Sequence, residues 1–238
     1  IMRKKISNSL LPHFFELRKR ILHTLIFFAV VFVVLYPFSG QIFDAFVSYS
    51  RASAGLNLIA IEVASPFLVP LRLVLFLTFL ISAPYIIFQM LSFMAPGLYE
   101  NEKNFIFSRS IIGALLFLGG ICFCYFIVLP NVFNFFQSIS PSLVEISTDI
   151  TKFLDFSLLL FMAFGLASQV PIIVNGLILF NVLKKESLSK NRGWVLVLSF
   201  TFGMLLSPPD VISQIMLAVP VYLLFELGLL CSNEKKAQ

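Results

Sequence analysis

The chain of 238 residues is 59% hydrophobic and 12% charged, with 29 Phe, a mean hydropathy of +0.97 and a formal net charge of +5. An ordinary soluble domain carries about 25% charged residues, and a water-solvated fold of this composition would expose apolar patches that soluble monomers rarely tolerate. The composition therefore excludes an ordinary soluble globule and points to a bilayer as solvent.

The N-terminus, Ile1-Met2 followed by Arg3, Lys4 and Lys5, has the basic character of a signal-peptide n-region. The first apolar run, however, begins only at Ile21, has no small-residue cleavage site after it and ends at Tyr36-Pro37-Phe38, so it is read as a retained first span. A spanning helix needs about 20 mainly apolar residues. Six segments approach that length: 21–38, 73–95, 111–129, 156–180, 194–206 and 215–231. The fifth would rise only about 20 Å at 1.5 Å per residue, so the last two spans are expected to form a short hairpin in locally thinned bilayer. Pro84, Pro171 and Pro220 interrupt apolar runs, while Pro96, Pro130, Pro208 and Pro209 sit at their ends. Each interior proline removes a backbone donor and bends its helix, which membrane bundles accommodate. The expected fold is thus an all-α integral membrane protein of six kinked helices forming a concave bundle. No repeat, low-complexity stretch or linker divides residues 1–238, which read as one polytopic membrane domain.

Orientation follows from Lys and Arg. With the N-terminus inside, the cytoplasmic segments hold Arg3, Lys4, Lys5, Arg18, Lys19, Arg20, Lys103, Arg109, Lys184, Lys185, Lys190, Arg192, Lys235 and Lys236, which is all but three of the 17 basic residues. Arg51, Arg72 and Lys152 fall on the other side. Both termini are therefore expected in the cytoplasm.

Polar groups at membrane depth are few. Gln169 lies mid-span two residues before Pro171, where its amide needs a partner or a wet cavity. Glu226 lies near the cytoplasmic end of the last span, where it can snorkel or pair. Glu16, just before the first span, and Glu102, after the second, fall on the same cytoplasmic surface. Spacing alone suits local pairing of Glu16 with Arg20 at i, i+4, and of Glu102 with Lys103 or Arg109. Asp149 and Asp155 flank the third external loop, and Asp210 follows Pro208-Pro209 as a turn former or helix cap. There is no Ser, His and Asp set at membrane depth and no Gly-rich loop opening a helix, so no enzyme site is expected. The Cys and His residues have no metal-ligand spacing, and neither a metal nor a cofactor is expected.

Seven strings occur in one order along nearly the whole chain: His13–Arg20 (HFFELRKR), Val63–Phe67 (VASPF), Ser82–Pro84 (SAP), Phe93–Tyr99 (FMAPGLY) with Glu102, Ser147–Ile150 (STDI), Phe161–Gly165 (FMAFG) with Val170-Pro171, and Gly203–Gln214 (GMLLSPPDVISQ). In these the chain resembles the TatC family, the core subunit of the twin-arginine translocase. The resemblance implies a receptor, in the cytoplasmic (inner) membrane, for twin-arginine signal peptides of folded exported proteins. It also implies an oligomeric complex with TatA-type and TatB-type single-span partners, driven by the proton-motive force, with no nucleic acid involved. The family's acidic positions fall on Glu16 and Glu102, whose carboxylates would receive guanidinium groups in charge-assisted, potentially bidentate bonds. Phe93, Pro96 and Tyr99 resemble positions that shape this surface, and Arg18 matches a position expected to hold Glu16. Ser65 and Pro66, Asp149, and Pro209 with Asp210 fall in the family's loop motifs. Gln169 stands where the family often has Glu, so an intramembrane partner contact there would rest on a neutral amide. A small secondary transporter or channel with a midplane site is the competing reading, which would require inverted repeats and ion-coordinating groups at midplane. An intramembrane enzyme would need the catalytic cluster that the sequence lacks.

Overall fold

The computed structural model describes residues 2–55, 57–94, 100–139, 147–179, 182–206 and 211–231. Nearly all of them are helical. Helix α1 (Met2–Leu35) passes through a 3₁₀ turn (Tyr36–Phe38) into α2 (Ser39–Ala54). The short strand β1 (Asn57–Ile59) precedes α3 (Ser65–Met94). Helix α4 (Glu100–Phe123) runs through a π-helical segment (Cys124–Val128) into α5 (Leu129–Ile139), and strand β2 (Ser147–Asp149) leads into α6 (Ile150–Ala167). Then come α7 (Val170–Leu179), α8 (Lys185–Lys190), α9 (Arg192–Leu206) and α10 (Val211–Cys231).

Among the described residues, five helical stretches are long and apolar enough to cross a membrane: Phe15–Ser53, Ser65–Ile86, Ile111–Ile139, Ile150–Ile178 and Gln214–Cys231. A sixth, Arg192–Leu205, is shorter. Five of the expected spans thus correspond to helices of crossing length, and the fifth expected span corresponds to this shorter one: the 15 residues of α9 rise about 22 Å. The 18-residue apolar part of α10 rises about 27 Å, just under a hydrocarbon thickness of about 30 Å.

Helix boundaries depart from the sequence reading: the span expected over 111–129 continues as far as Ile139, and three further departures each have a local reason. The first span does not stop at Phe38. Pro37 enters the first turn of the 3₁₀ segment, where a missing N–H costs little, and the chain continues as α2 until Gly55. There φ is +60° and the Gly55 N–H donates to Arg51 O at 2.8 Å, closing the helix in a left-handed cap. Helix α3 starts eight residues before the expected Leu73, because Pro66 sits in its first turn, where an N–H would be unpartnered in any case. Helix α3 also runs through Pro70 and Pro84. The span expected over 156–180 is two helices, α6 and α7, with a turn at Ser168-Gln169. Pro171 cannot donate to the Ala167 carbonyl, and the break falls beside it.

The chain divides into two compact units, residues 1–43 with 70–114 and residues 44–69 with 115–238. In the first, Leu73, Val74, Thr78, Leu80, Ser82 and Ala83 are the buried side of α3. Helix α1 meets α3 by side-chain tips, with the Phe27 and Tyr85 rings 4.5 Å apart. In the second unit, Leu129, Val132, Phe153, Leu154, Leu160, Phe164 and Leu217 are almost inaccessible. Here Pro130 has no N–H for the carbonyl four residues back, and the Tyr49 hydroxyl donates to that atom, Phe126 O, at 3.2 Å. Such rescue of freed carbonyls is what keeps proline tolerable at membrane depth. Helix α10 packs mainly on α9 and α7, through Val174, Ile178, Phe225 and Leu229. Gly120 is pressed against α6, where a Cβ would stand 2.7 Å from Phe164 O and 2.8 Å from the Ser168 Cβ. Strands β1 and β2 pair in parallel, Asn57 with Ser147, Leu58 with Thr148 and Ile59 with Asp149. The sequence reading contained no strands.

Candidate functional site

On α1, Glu16 and Arg20 are four residues apart and therefore share a face, just N-terminal to the apolar run. Arg20 donates twice to Glu16 Oε1, from Nη2 at 2.6 Å and from Nε at 3.1 Å. Its remaining reach is used across to α3, where Nη1 donates to Gln89 Oε1 at 3.2 Å. Gln89 in turn donates from Nε2 to the Tyr85 hydroxyl at 2.7 Å. Tyr85, Gln89 and Phe93 recur every fourth residue and so present one stripe of α3 to α1. Between the stripes lies a groove of about 700 Å³, lined by Leu17, Arg20, Ile21, Leu25 and Phe28 on α1 and by Ile86, Gln89 and Phe93 on α3. Apart from Arg20, Gln89 and the Thr24 hydroxyl that also lines it, its walls are apolar. The cluster thus sets the Arg20 guanidinium in the wall of an apolar trough, with the Glu16 carboxylate bonded to it. The side chains of Arg20 and Glu16 keep 25% and 35% of their surface exposed, so both remain in reach of a ligand.

This arrangement corrects one expectation. Among the described residues, the guanidinium on Glu16 is Arg20's and not Arg18's. Two residues along a helix is a rotation of about 200°, so Arg18 stands exposed on the opposite face. Phe93 is half-buried and lines the groove. Glu102 is carried by α4, but its side chain, together with Pro96 and Tyr99, lies outside the described residues. Pro209 and Asp210 lie outside them as well.

In the second unit, Gln169 is half-buried in the turn between α6 and α7, its Nε2 3.4 Å from Ser168 Oγ. Ser65 is buried at the start of α3, its hydroxyl 2.8 Å from that of Thr151, whereas Pro66 is exposed. Asp149 ends β2 and precedes α6 without a side-chain capping bond. Its Oδ1 is shielded from solvent and has no hydrogen-bond partner among the described residues. Glu226 is paired: Arg192 Nε stands 3.1 Å from its Oε1, and the Tyr222 hydroxyl donates to the same oxygen at 2.8 Å. Sequence spacing signals the Tyr222 contact at i, i+4, but nothing in it signals Arg192, which belongs to another helix. Gln89 and Tyr85 escaped the sequence reading too, though their four-residue spacing with Phe93 was available to it.

The family described as Sec-independent protein translocase protein (TatC) matches residues 12–220. The chain is 42% identical over 230 residues to the Sec-independent protein translocase protein TatC of Haemophilus influenzae, covering 95% of this chain and 90% of that one. It is 40% identical over 229 residues to the protein of the same description from Escherichia coli strain K12, covering 95% and 89%. Two crystal structures of the twin arginine translocase receptor TatC have the same fold. One matches with a TM-score of 0.74 and 29% identity, covering 92% of this chain and 96% of that one. The other, in DDM, matches with a TM-score of 0.77 and 28% identity, covering 93% and 99%. This chain therefore belongs to the TatC family of Sec-independent protein translocase proteins, as a multi-pass, all-helical membrane component of protein transport.

Proposed function

We propose that the chain is the receptor subunit of a twin-arginine translocase, binding the paired arginines of signal peptides at Glu16 and Glu102. The observation that carries this reading is the Glu16 cluster. A partly exposed carboxylate takes two N–H donors of Arg20 on one oxygen, and Arg20 lines an apolar groove. A signal peptide has the matching order of parts, basic residues followed by an apolar segment. The carboxylates take the arginines by charge-assisted bonds, and the apolar segment packs along kinked helices. Phe93, Pro96 and Tyr99 shape the surface around Glu102, and Arg18 contributes to its charge balance. Ser65, through its hydroxyl contact with Thr151, ties the start of α3 to α6, and Pro66, Asp149, Pro209 and Asp210 belong with it as positions of the family's loop motifs.

The protein sits in the cytoplasmic membrane with both termini inside, in an oligomeric complex with TatA-type and TatB-type single-span proteins. The stretch Phe15–Ser53 supports such assembly, since none of its apolar window is buried within the chain. Gln169 offers a neutral amide to a partner's span. Binding of an Arg-Arg peptide, measured by crosslinking or affinity, tests the reading. Glu16→Gln and Glu102→Gln should each lose about 1–3 kcal/mol, the scale of a charged hydrogen bond, with membrane assembly unchanged. Unchanged binding in both variants would sink it.

A further inference from the structure

We propose that Arg20 is a built-in competitor for the carboxylate of Glu16, so that a signal-peptide arginine binds there by displacing a guanidinium of the protein's own; this rests on the proposal that Glu16 receives the peptide. Arg20 occupies Glu16 with the chemistry a peptide arginine would bring, two N–H donors on one carboxylate oxygen at 2.6 and 3.1 Å. An isolated exposed pair of this kind would be nearly neutral in free energy. This pair is not isolated. A third donor of the same guanidinium, Nη1, is on Gln89 Oε1 at 3.2 Å, and Gln89 is itself oriented by its bond to the Tyr85 hydroxyl. Tyr85 packs in turn against Phe27, the two rings tilted and 4.5 Å apart.

Gln89 therefore does two things. It orders Arg20 next to Glu16 in the resting protein, and it keeps one bond to Arg20 when Glu16 is taken. The groove gives the displaced head room, because Arg20 already lines it together with Gln89 and Phe93. The exchange keeps one ion pair on Glu16 and leaves the displaced Arg20 with the neutral amide of Gln89, so its partly exposed guanidinium must take up water in place of the carboxylate.

A competitor and a positioning residue leave different signatures. If Glu16 is free only a fraction of the time, the apparent affinity of every ligand that uses it falls by that same fraction. Removing Arg20 should then tighten Arg-Arg and Lys-Lys peptides by one common factor. If Arg20 instead orients Glu16 for a guanidinium fork, its removal should weaken Arg-Arg binding and narrow the preference over Lys-Lys. The charge removed also matters by itself, and Lys19→Gln, one position away and exposed, reports that contribution.

The experiment measures affinities of Arg-Arg and Lys-Lys signal peptides for the full-length protein in its native complex. Arg20→Gln should tighten both peptides about three- to fivefold beyond Lys19→Gln, with their ratio unchanged. Gln89→Leu removes the bond that orders Arg20 on Glu16, so it should move the same way, tightening both about twofold, and should have no effect in the Arg20→Gln background. In the Glu16→Gln background Arg20→Gln should do nothing. Weaker or unchanged Arg-Arg binding in Arg20→Gln, or a change of the peptide ratio, would overturn the competitor assignment while leaving Glu16 as receptor. Unchanged affinity in both Glu16→Gln and Glu102→Gln would overturn the receptor reading itself, and unchanged affinity in Glu16→Gln alone would overturn the placement of the peptide on Glu16.

Discussion

Gly119 and Gly120 are adjacent in α4 and should respond to the same substitution with opposite signs. At Gly119 an added Cβ meets nothing within 4 Å, whereas at Gly120 it would meet Phe164 O at 2.7 Å, Ser168 Cβ at 2.8 Å and Ser168 Oγ at 2.9 Å. Ordinary contact begins near 3.4 Å, so α4 and α6 would have to part by several tenths of an ångström. Ser168 cannot swing aside cheaply, because its hydroxyl donates to Gly165 O at 2.6 Å and it ends α6 beside the Pro171 break. Overpacking of this kind costs about 1–3 kcal/mol, and the better helix propensity of Ala returns at most about 1 kcal/mol. Gly120→Ala should therefore lose about 1–2 kcal/mol net, and Gly119→Ala should gain up to about 1 kcal/mol. At about 2–4 °C per kcal/mol for a chain of this size, thermal unfolding in detergent should fall by several degrees for Gly120→Ala and hold or rise for Gly119→Ala. Equal stability of Gly120→Ala and wild type would refute the close approach of the two helices.

Tyr49→Phe should lower stability by about 1 kcal/mol, the net value of a hydrogen bond whose acceptor is left unsatisfied, because Pro130 offers Phe126 O no replacement for the Tyr49 hydroxyl; the same thermal assay checks it. Cysteines placed at Lys190 and Ser53 should react with membrane-impermeant thiol reagents from the cytoplasmic and the external side respectively, as the distribution of basic residues requires, and labelling of position 190 from outside would reject the assigned orientation.

The spans were legible because a bilayer imposes a length and a composition that show directly in sequence. The short fifth span and the Glu16–Arg20 pair follow from spacing along one helix, whereas Pro171 signalled a bend and the structure has a break. What escaped has no such signature. Strands β1 and β2 are three residues each, too short for a period-2 pattern to register. Helices α2 and α5 continue spans past the point where apolar residues thin out, so a hydropathy reading ends early. Gln89 and Arg192 find their partners on other helices, Arg20 on α1 and Glu226 on α10, and tertiary pairing of this kind leaves no mark in local spacing. Arg18 was assigned to Glu16 by motif alone, although helical rotation favoured Arg20.

The pairing of β1 with β2 also sets an order of events during synthesis. Asn57 meets Ser147, so about ninety residues, including α3, α4 and α5, must be made and placed before the first strand has a partner. At about 5–20 residues per second, β1 waits between roughly 5 and 18 seconds with its backbone groups turned to water. Three residues of parallel ladder cannot hold such a wide loop closed unaided. The pairing thus forms only after the intervening helices have come together, and protection from exchange of the amides that donate across this ladder would serve as a clock mark for completed insertion of the middle of the chain.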